Sequence, residues 1–136
     1  MVKLIMGLKG SGKTKNLIEM IRKAEEEEPG DVVCIEKGEK LRYDIPYKIR
    51  LVEASQYDFY GYDFLKGFIS GMYSANYDIT HIFIDSVLRI LGVDYDERAD
   101  DFLDWCAEFN KREDVKFTVT FSADIALASD NSKKYL

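Results

Sequence analysis

Gly7, Gly12, Lys13 and Thr14 stand at the spacing G-x-x-x-x-G-K-T within the run GLKGSGKT. These residue types suit the gripping of a phosphate chain. A triphosphate needs many donors packed closely around it. Backbone N–H groups serve only where side chains do not intrude, hence Gly7, Gly10 and Gly12. A lysine supplies a mobile positive charge for the terminal phosphates, and a threonine hydroxyl is a ligand for Mg²⁺. Leu8, Lys9 and Ser11 contribute main-chain amides to the same ring, so all positions from Gly7 to Thr14 are candidate contacts.

That chemistry requires a rigid strand before the loop and a helix after it, because a helix N-terminus adds partial positive charge beneath the anion. The flanking residues predict both. Val2 to Met6 is a short apolar run that reads as a buried strand. Leu17, Ile18, Ile21 and Ala24 recur at helical spacing over Lys13 to Glu27. Further along, strands are expected at Asp31–Glu36, Tyr47–Ala54, Ile79–Ser86 and Val115–Phe121. Pro46 marks the Tyr47–Ala54 strand as an edge. Helices are expected at Tyr62–Ala75 and Asp96–Lys111, with a short helical turn at Val87–Leu91, and Lys133–Leu136 reads as a short closing strand. Strands alternating with helices of this length predict an α/β fold in three α/β/α layers around a mainly parallel sheet, in one domain spanning residues 1–136.

In this order of elements the chain resembles the P-loop NTPase superfamily. Gly7 to Thr14 matches its Walker A motif at every fixed position, and Ile82-Phe83-Ile84-Asp85 matches the looser Walker B pattern. The resemblance implies that Thr14 and Asp85 hold Mg²⁺, Asp85 through water. In the branch of the superfamily with a strand between the Walker A and Walker B strands, a polar residue on that strand senses the terminal phosphate, and Ser122 suits that position. The glutamate that polarises water often follows the Walker B aspartate directly, where this chain has Ser86. Glu36 and Glu53 are the alternatives at neighbouring strand ends, with Glu36 preferred because its strand is the more clearly buried. Lys13, Glu36 and Ser122 are thus the expected catalytic residues.

The GTPase branch fits less well, since Asn110-Lys111-Arg112-Glu113-Asp114 has the wrong spacing to read guanine. The expected ligand is ATP, possibly GTP, with Mg²⁺, and the expected reaction is slow hydrolysis. A small-molecule kinase and a noncatalytic nucleotide sensor remain the alternatives. Thymidine kinases, which share the short core, carry zinc-binding cysteine pairs that this chain lacks.

Composition narrows the classes further. The chain has 136 residues, enough for one sizeable core, and at 46% hydrophobic it is too apolar for a disordered tail. Its net charge of −6 argues against nonspecific binding to nucleic acid or to an anionic membrane. No apolar run approaches a membrane span and no signal peptide is evident, so a cytoplasmic protein is expected. Cys34 and Cys106 are far apart and read as buried free thiols. Partners beyond the nucleotide are a homo-oligomer or another protein. Tyr57 to Tyr62 are the aromatic candidates for such a contact, together with Trp105, whereas Phe64, Phe68 and Tyr73 read as core. His81 reads as structural.

Overall fold

The computed structural model describes all residues 1–136. Five strands form one sheet: β1 (Val2–Gly7), β2 (Asp31–Glu36), β3 (Arg50–Glu53), β4 (Ile79–Ile84) and β5 (Lys116–Ser122). Their spatial order is β1-β5-β4-β2-β3, and every pair is parallel. Parallel strands buried on both faces need apolar side chains pointing both ways. Accordingly, Val32, Val33, Cys34 and Ile35 of β2 are all buried, as are His81 to Ile84 of β4.

Helices cover both faces and complete the three layers. On one face α1 (Lys13–Glu27) buries Leu17, Ile21 and Ala24 against Val32, Cys34 and Phe83. On the other, α2 (Gly61–Ala75) contributes Tyr62, Leu65 and Ile69, and α4 (Glu97–Glu113) contributes Phe102, Leu103, Cys106 and Phe109. They pack on Leu4, Val33, Ile82, Phe117, Val119 and Phe121 of the sheet. The short α3 (Val87–Leu91) buries four of its side chains in that same core. The chain closes with α5 (Asp130–Lys133).

Five expectations change. Phe64 is not core: it is 39% exposed at the start of α2, with its ring 5.1 Å from that of Phe59. Lys133–Leu136 is not a strand: α5 ends at Lys133 and a turn follows. The reason is local, since the Ser129 side chain accepts from the Ser132 amide and caps a helix start there. The tail still meets the sheet edge once, where the Leu4 amide donates to the Tyr135 carbonyl at 2.7 Å. The edge strand is shorter than Tyr47–Ala54: Pro46 and the residues after it turn, Tyr47 is 97% exposed, and pairing with β2 begins at Arg50. Tyr62 is core, with its ring 5.5 Å from that of Phe102, so it is no docking residue. Trp105 packs on Phe102, Phe109 and Phe117 instead of standing at an interface.

His81 lies at the N-terminal end of β4, remote from the strand ends that carry Gly7 and Asp85. Its Nε2 is 2.8 Å from the Thr118 hydroxyl and its ring stacks on Phe83 at 4.1 Å. Burial pushes its pKa down to about 4, against the opposing pull of the Glu28 carboxylate. A base whose pKa is depressed on folding contributes stability above its unfolded value, and that contribution is lost as the pH falls toward 4. The expected NMR titration of the His81 ring therefore has its midpoint near pH 4. A midpoint near the ordinary histidine value would contradict this packing.

Candidate functional site

Because all strands run the same way, their C-terminal ends share one edge. Register places Gly7 beside Ser122, Glu36 beside Glu53, and Ile35 beside Ile84, whose next residue is Asp85. From β1 the chain leaves toward the face of α1, while from β4 it leaves toward the opposite face through α3 and α4. Loops that part in this way open a crevice at the strand ends, the usual ligand position in such sheets. A cavity of about 640 Å³ lies there. It is lined by Lys9, Gly10 and Gly12 to Lys15, by Glu36 and the residues just after β2, by Asp85 and Ser86 after β4, by Ser122 of β5 and by Arg89 of α3; none of these is hydrophobic, and Gly7, Leu8 and Ser11 lie outside the lining.

The loop connects β1 to α1 and turns where the Ser11 amide donates to the Leu8 carbonyl at 3.1 Å. Gly10 and Gly12 adopt φ of +86° and +87°, the left-handed region that L side chains avoid. Gly7 is crowded for another reason: a β-carbon there would stand 2.5 Å from the Ser11 hydroxyl. α1 starts directly after Gly12 with no side-chain cap and no acidic residue in its first turn. Its leading amides are thus left for an anion. Gly12→Ala is expected to lower stability by about 1–2 kcal/mol in urea unfolding, the cost of forcing a side chain into that region. Gly38→Ala, at a position with open space and an ordinary backbone, is the control expected to change nothing. Equal effects of the two would show that the loop does not hold the left-handed turn.

Lys13 is only 8% exposed, and its ammonium donates to the Leu8 carbonyl at 2.9 Å, its one protein hydrogen bond. Two of its three donors remain for a ligand. Thr14 lines the cavity beside it.

Asp85 is buried at the end of β4 and held by a short relay. The Ser86 amide donates to the Thr120 hydroxyl at 2.7 Å, and that hydroxyl donates to Asp85 Oδ1 at 2.9 Å. Ser86 adopts φ 58°, a left-handed conformation unusual for a residue other than glycine. Thr120 escaped the sequence reading. Its signal was the alternation KFTVTFS, in which Thr118 and Thr120 share one face of a central strand. A buried hydroxyl there needs a partner, and Asp85 is the partner.

Glu36 and Glu53 sit side by side in register, yet they differ. Glu53 is occupied: Arg42 forms an ion pair with it, and Gln56 donates to it at 3.0 Å. It does not line the cavity. Glu36 does, and it is 4% exposed. One of its oxygens accepts from the Leu41 amide at 3.1 Å. Burial raises its pKa, and the Asp85 charge adds to the rise, against the lowering effect of the Leu41 amide. Ser122 also lines the cavity, exposed at the end of β5. The structure therefore brings Lys13, Thr14, Glu36, Asp85 and Ser122 to one place and leaves Glu53 outside.

No group of three or more His, Cys, Asp or Glu side chains is arranged to hold a metal. Thr14 and Asp85 offer one hydroxyl and one carboxylate. That donor set suits a hard cation that takes its remaining ligands from phosphate oxygens and water, as Mg²⁺ does. It does not suit zinc or another metal that wants a full protein cage. Cys34 and Cys106 are buried free thiols, with burial holding both pKa values well above the ordinary range, so neither is a nucleophile.

No protein-family model matches this chain, and no curated protein matches it. No helix is long and apolar enough to cross a membrane.

Proposed function

We propose that this chain is a P-loop domain that binds a magnesium nucleoside triphosphate, ATP in the first instance, and hydrolyses it slowly on its own. One observation carries the reading: Lys9, Gly10 and Gly12 to Thr14 of the loop converge with Glu36, Asp85 and Ser122 on one cavity that no hydrophobic residue lines. In it the loop amides and Lys13 hold the phosphate oxygens and stabilise charge as it builds on the terminal phosphoryl group. Thr14 and Asp85 would hold Mg²⁺, which supplies charge neutralisation and orientation of the phosphates. Glu36 accepts the proton of the attacking water, and Ser122 contacts the terminal phosphate.

Proton transfer to Glu36 is geometrically open because only one of its oxygens is committed to Leu41. A raised pKa makes it a better base than an ordinary glutamate once ionised. The position of β5 between β1 and β4 further supports the assignment of Ser122, since it sets that residue directly beside Gly7.

Calorimetric titration with ATP and with GTP, each with Mg²⁺ and with a chelator, tests the reading. Saturable heat that depends on Mg²⁺ is expected. A flat trace with every common triphosphate would overturn it. Release of inorganic phosphate then separates an enzyme from a sensor.

A further inference from the structure

We infer that Lys37, Lys40 and Arg89, carried on other elements than the phosphate loop, form a second anion subsite in the same cavity for a phosphate dianion held together with the nucleotide. The inference rests on the reading of the loop as a triphosphate site. The cavity gathers six basic side chains, Lys9, Lys13, Lys15, Lys37, Lys40 and Arg89, against two carboxylates, Glu36 and Asp85. None of the six is in an ion pair with a carboxylate, in a chain whose net charge is −6. A magnesium-bound triphosphate brings about two net negative charges once the ion is counted. With both carboxylates ionised, that leaves the cavity with about two positive charges, the complement of one phosphate dianion.

The cations divide by position. Lys9, Lys13 and Lys15 belong to the loop and the first turn of α1. Lys37 and Lys40 follow β2, and Arg89 is on α3, which follows Asp85. The second group is tied in place. Glu36 accepts from the Leu41 amide and so folds the segment carrying Lys37 and Lys40 over the end of β2. The Lys37 ammonium donates to the Arg89 carbonyl at 3.3 Å, joining that segment to α3. Glu39, the one carboxylate within the segment, turns away to Arg42 at 3.8 Å. Two point charges and a planar guanidinium fork lining one cavity are the donors that recognise a phosphate group.

Such a dianion has two sources: inorganic phosphate left by hydrolysis, or the phosphate group of a second small substrate. The test is calorimetry at constant ionic strength on protein saturated with Mg²⁺ and a non-hydrolysable β,γ-imido analogue of ATP. Inorganic phosphate and methyl phosphate are titrated in turn. Saturable binding of one equivalent is expected, and the double variant Lys40→Ala/Arg89→Ala should weaken it by about tenfold or more, well beyond any loss in nucleotide affinity. Binding of both probes points to a substrate phosphate, and binding of inorganic phosphate alone to a product site. Phosphate that fails to bind the loaded protein, or that merely displaces the analogue, overturns the inference. If the analogue itself does not bind, the loop reading fails separately. Phosphate is then titrated into the free protein: loss with Lys40→Ala/Arg89→Ala but not with Lys13→Ala keeps the subsite, and the reverse removes it.

Discussion

Lys13→Ala is expected to weaken binding of Mg²⁺-ATP by about a hundredfold or more while leaving the fold intact. The size follows from the setting of the ammonium. It is nearly buried, it has one hydrogen bond to protein, and no carboxylate neutralises it. Removing one member of a buried, hydrogen-bonded charge pair costs about 2–5 kcal/mol, and each 1.4 kcal/mol is about tenfold in affinity. The unliganded protein loses only the bond to the Leu8 carbonyl, worth about 1 kcal/mol, and is relieved of a desolvated charge. The melting temperature should therefore stay within a few degrees of the parent. Calorimetric titration and thermal unfolding of the same preparation check both halves. A variant that binds as tightly as the parent would mean that the loop does not grip the ligand through this residue. A variant that unfolds would mean that Lys13 is a structural ammonium.

The features legible in the sequence were those set by local pattern. Helical spacing of Leu17, Ile21 and Ala24 placed α1, because the same residues that make the stripe are those the sheet buries. Apolar runs placed β1, β2, β4 and β5 within a residue or two, since a parallel strand is buried on both faces. The loop was legible for a related reason: left-handed turns and close approach of main chain demand glycine at fixed positions, and Gly10 and Gly12 answer that demand.

The misread or missing features depended on contacts distant in sequence. Nothing near Thr120 announces that its hydroxyl meets Asp85, 35 residues away. Glu36 and Glu53 both end strands, and the contacts of Glu53 with Arg42 and Gln56, outside the pattern of its own strand, occupy it outside the cavity that Glu36 lines. Trp105 is off the main stripe of α4, yet the aromatic side chains of Phe102, Phe109 and Phe117 give it a partly buried seat. The tail from Lys133 has strand-like residues, but a serine cap four residues earlier decides its conformation.

The second large effect concerns Glu36, where function and stability are expected to move in opposite directions. Its folded pKa is raised, so folding favours the neutral form. The stability this group contributes is complete below the ordinary glutamate value and is lost as the pH rises through the folded value. At neutral pH the ionised carboxylate is therefore a burden on the fold: it is desolvated and faces the Asp85 charge. Glu36→Gln removes the charge and keeps an oxygen to accept from Leu41, so the melting temperature should rise. Turnover should fall by about 10²–10⁴-fold, the usual worth of a positioned general base, with little change in nucleotide affinity. The parent's rate should fall on the acid side at a higher pH than an ordinary glutamate would give, and the variant should lack that limb. Thermal unfolding at pH 7 and at pH 4 separates the two contributions, because the gain in melting temperature should shrink at the lower pH as the parent's Glu36 becomes protonated. Unchanged turnover in a stabilised variant would leave Glu36 only its structural bond to Leu41, and the water would need another base.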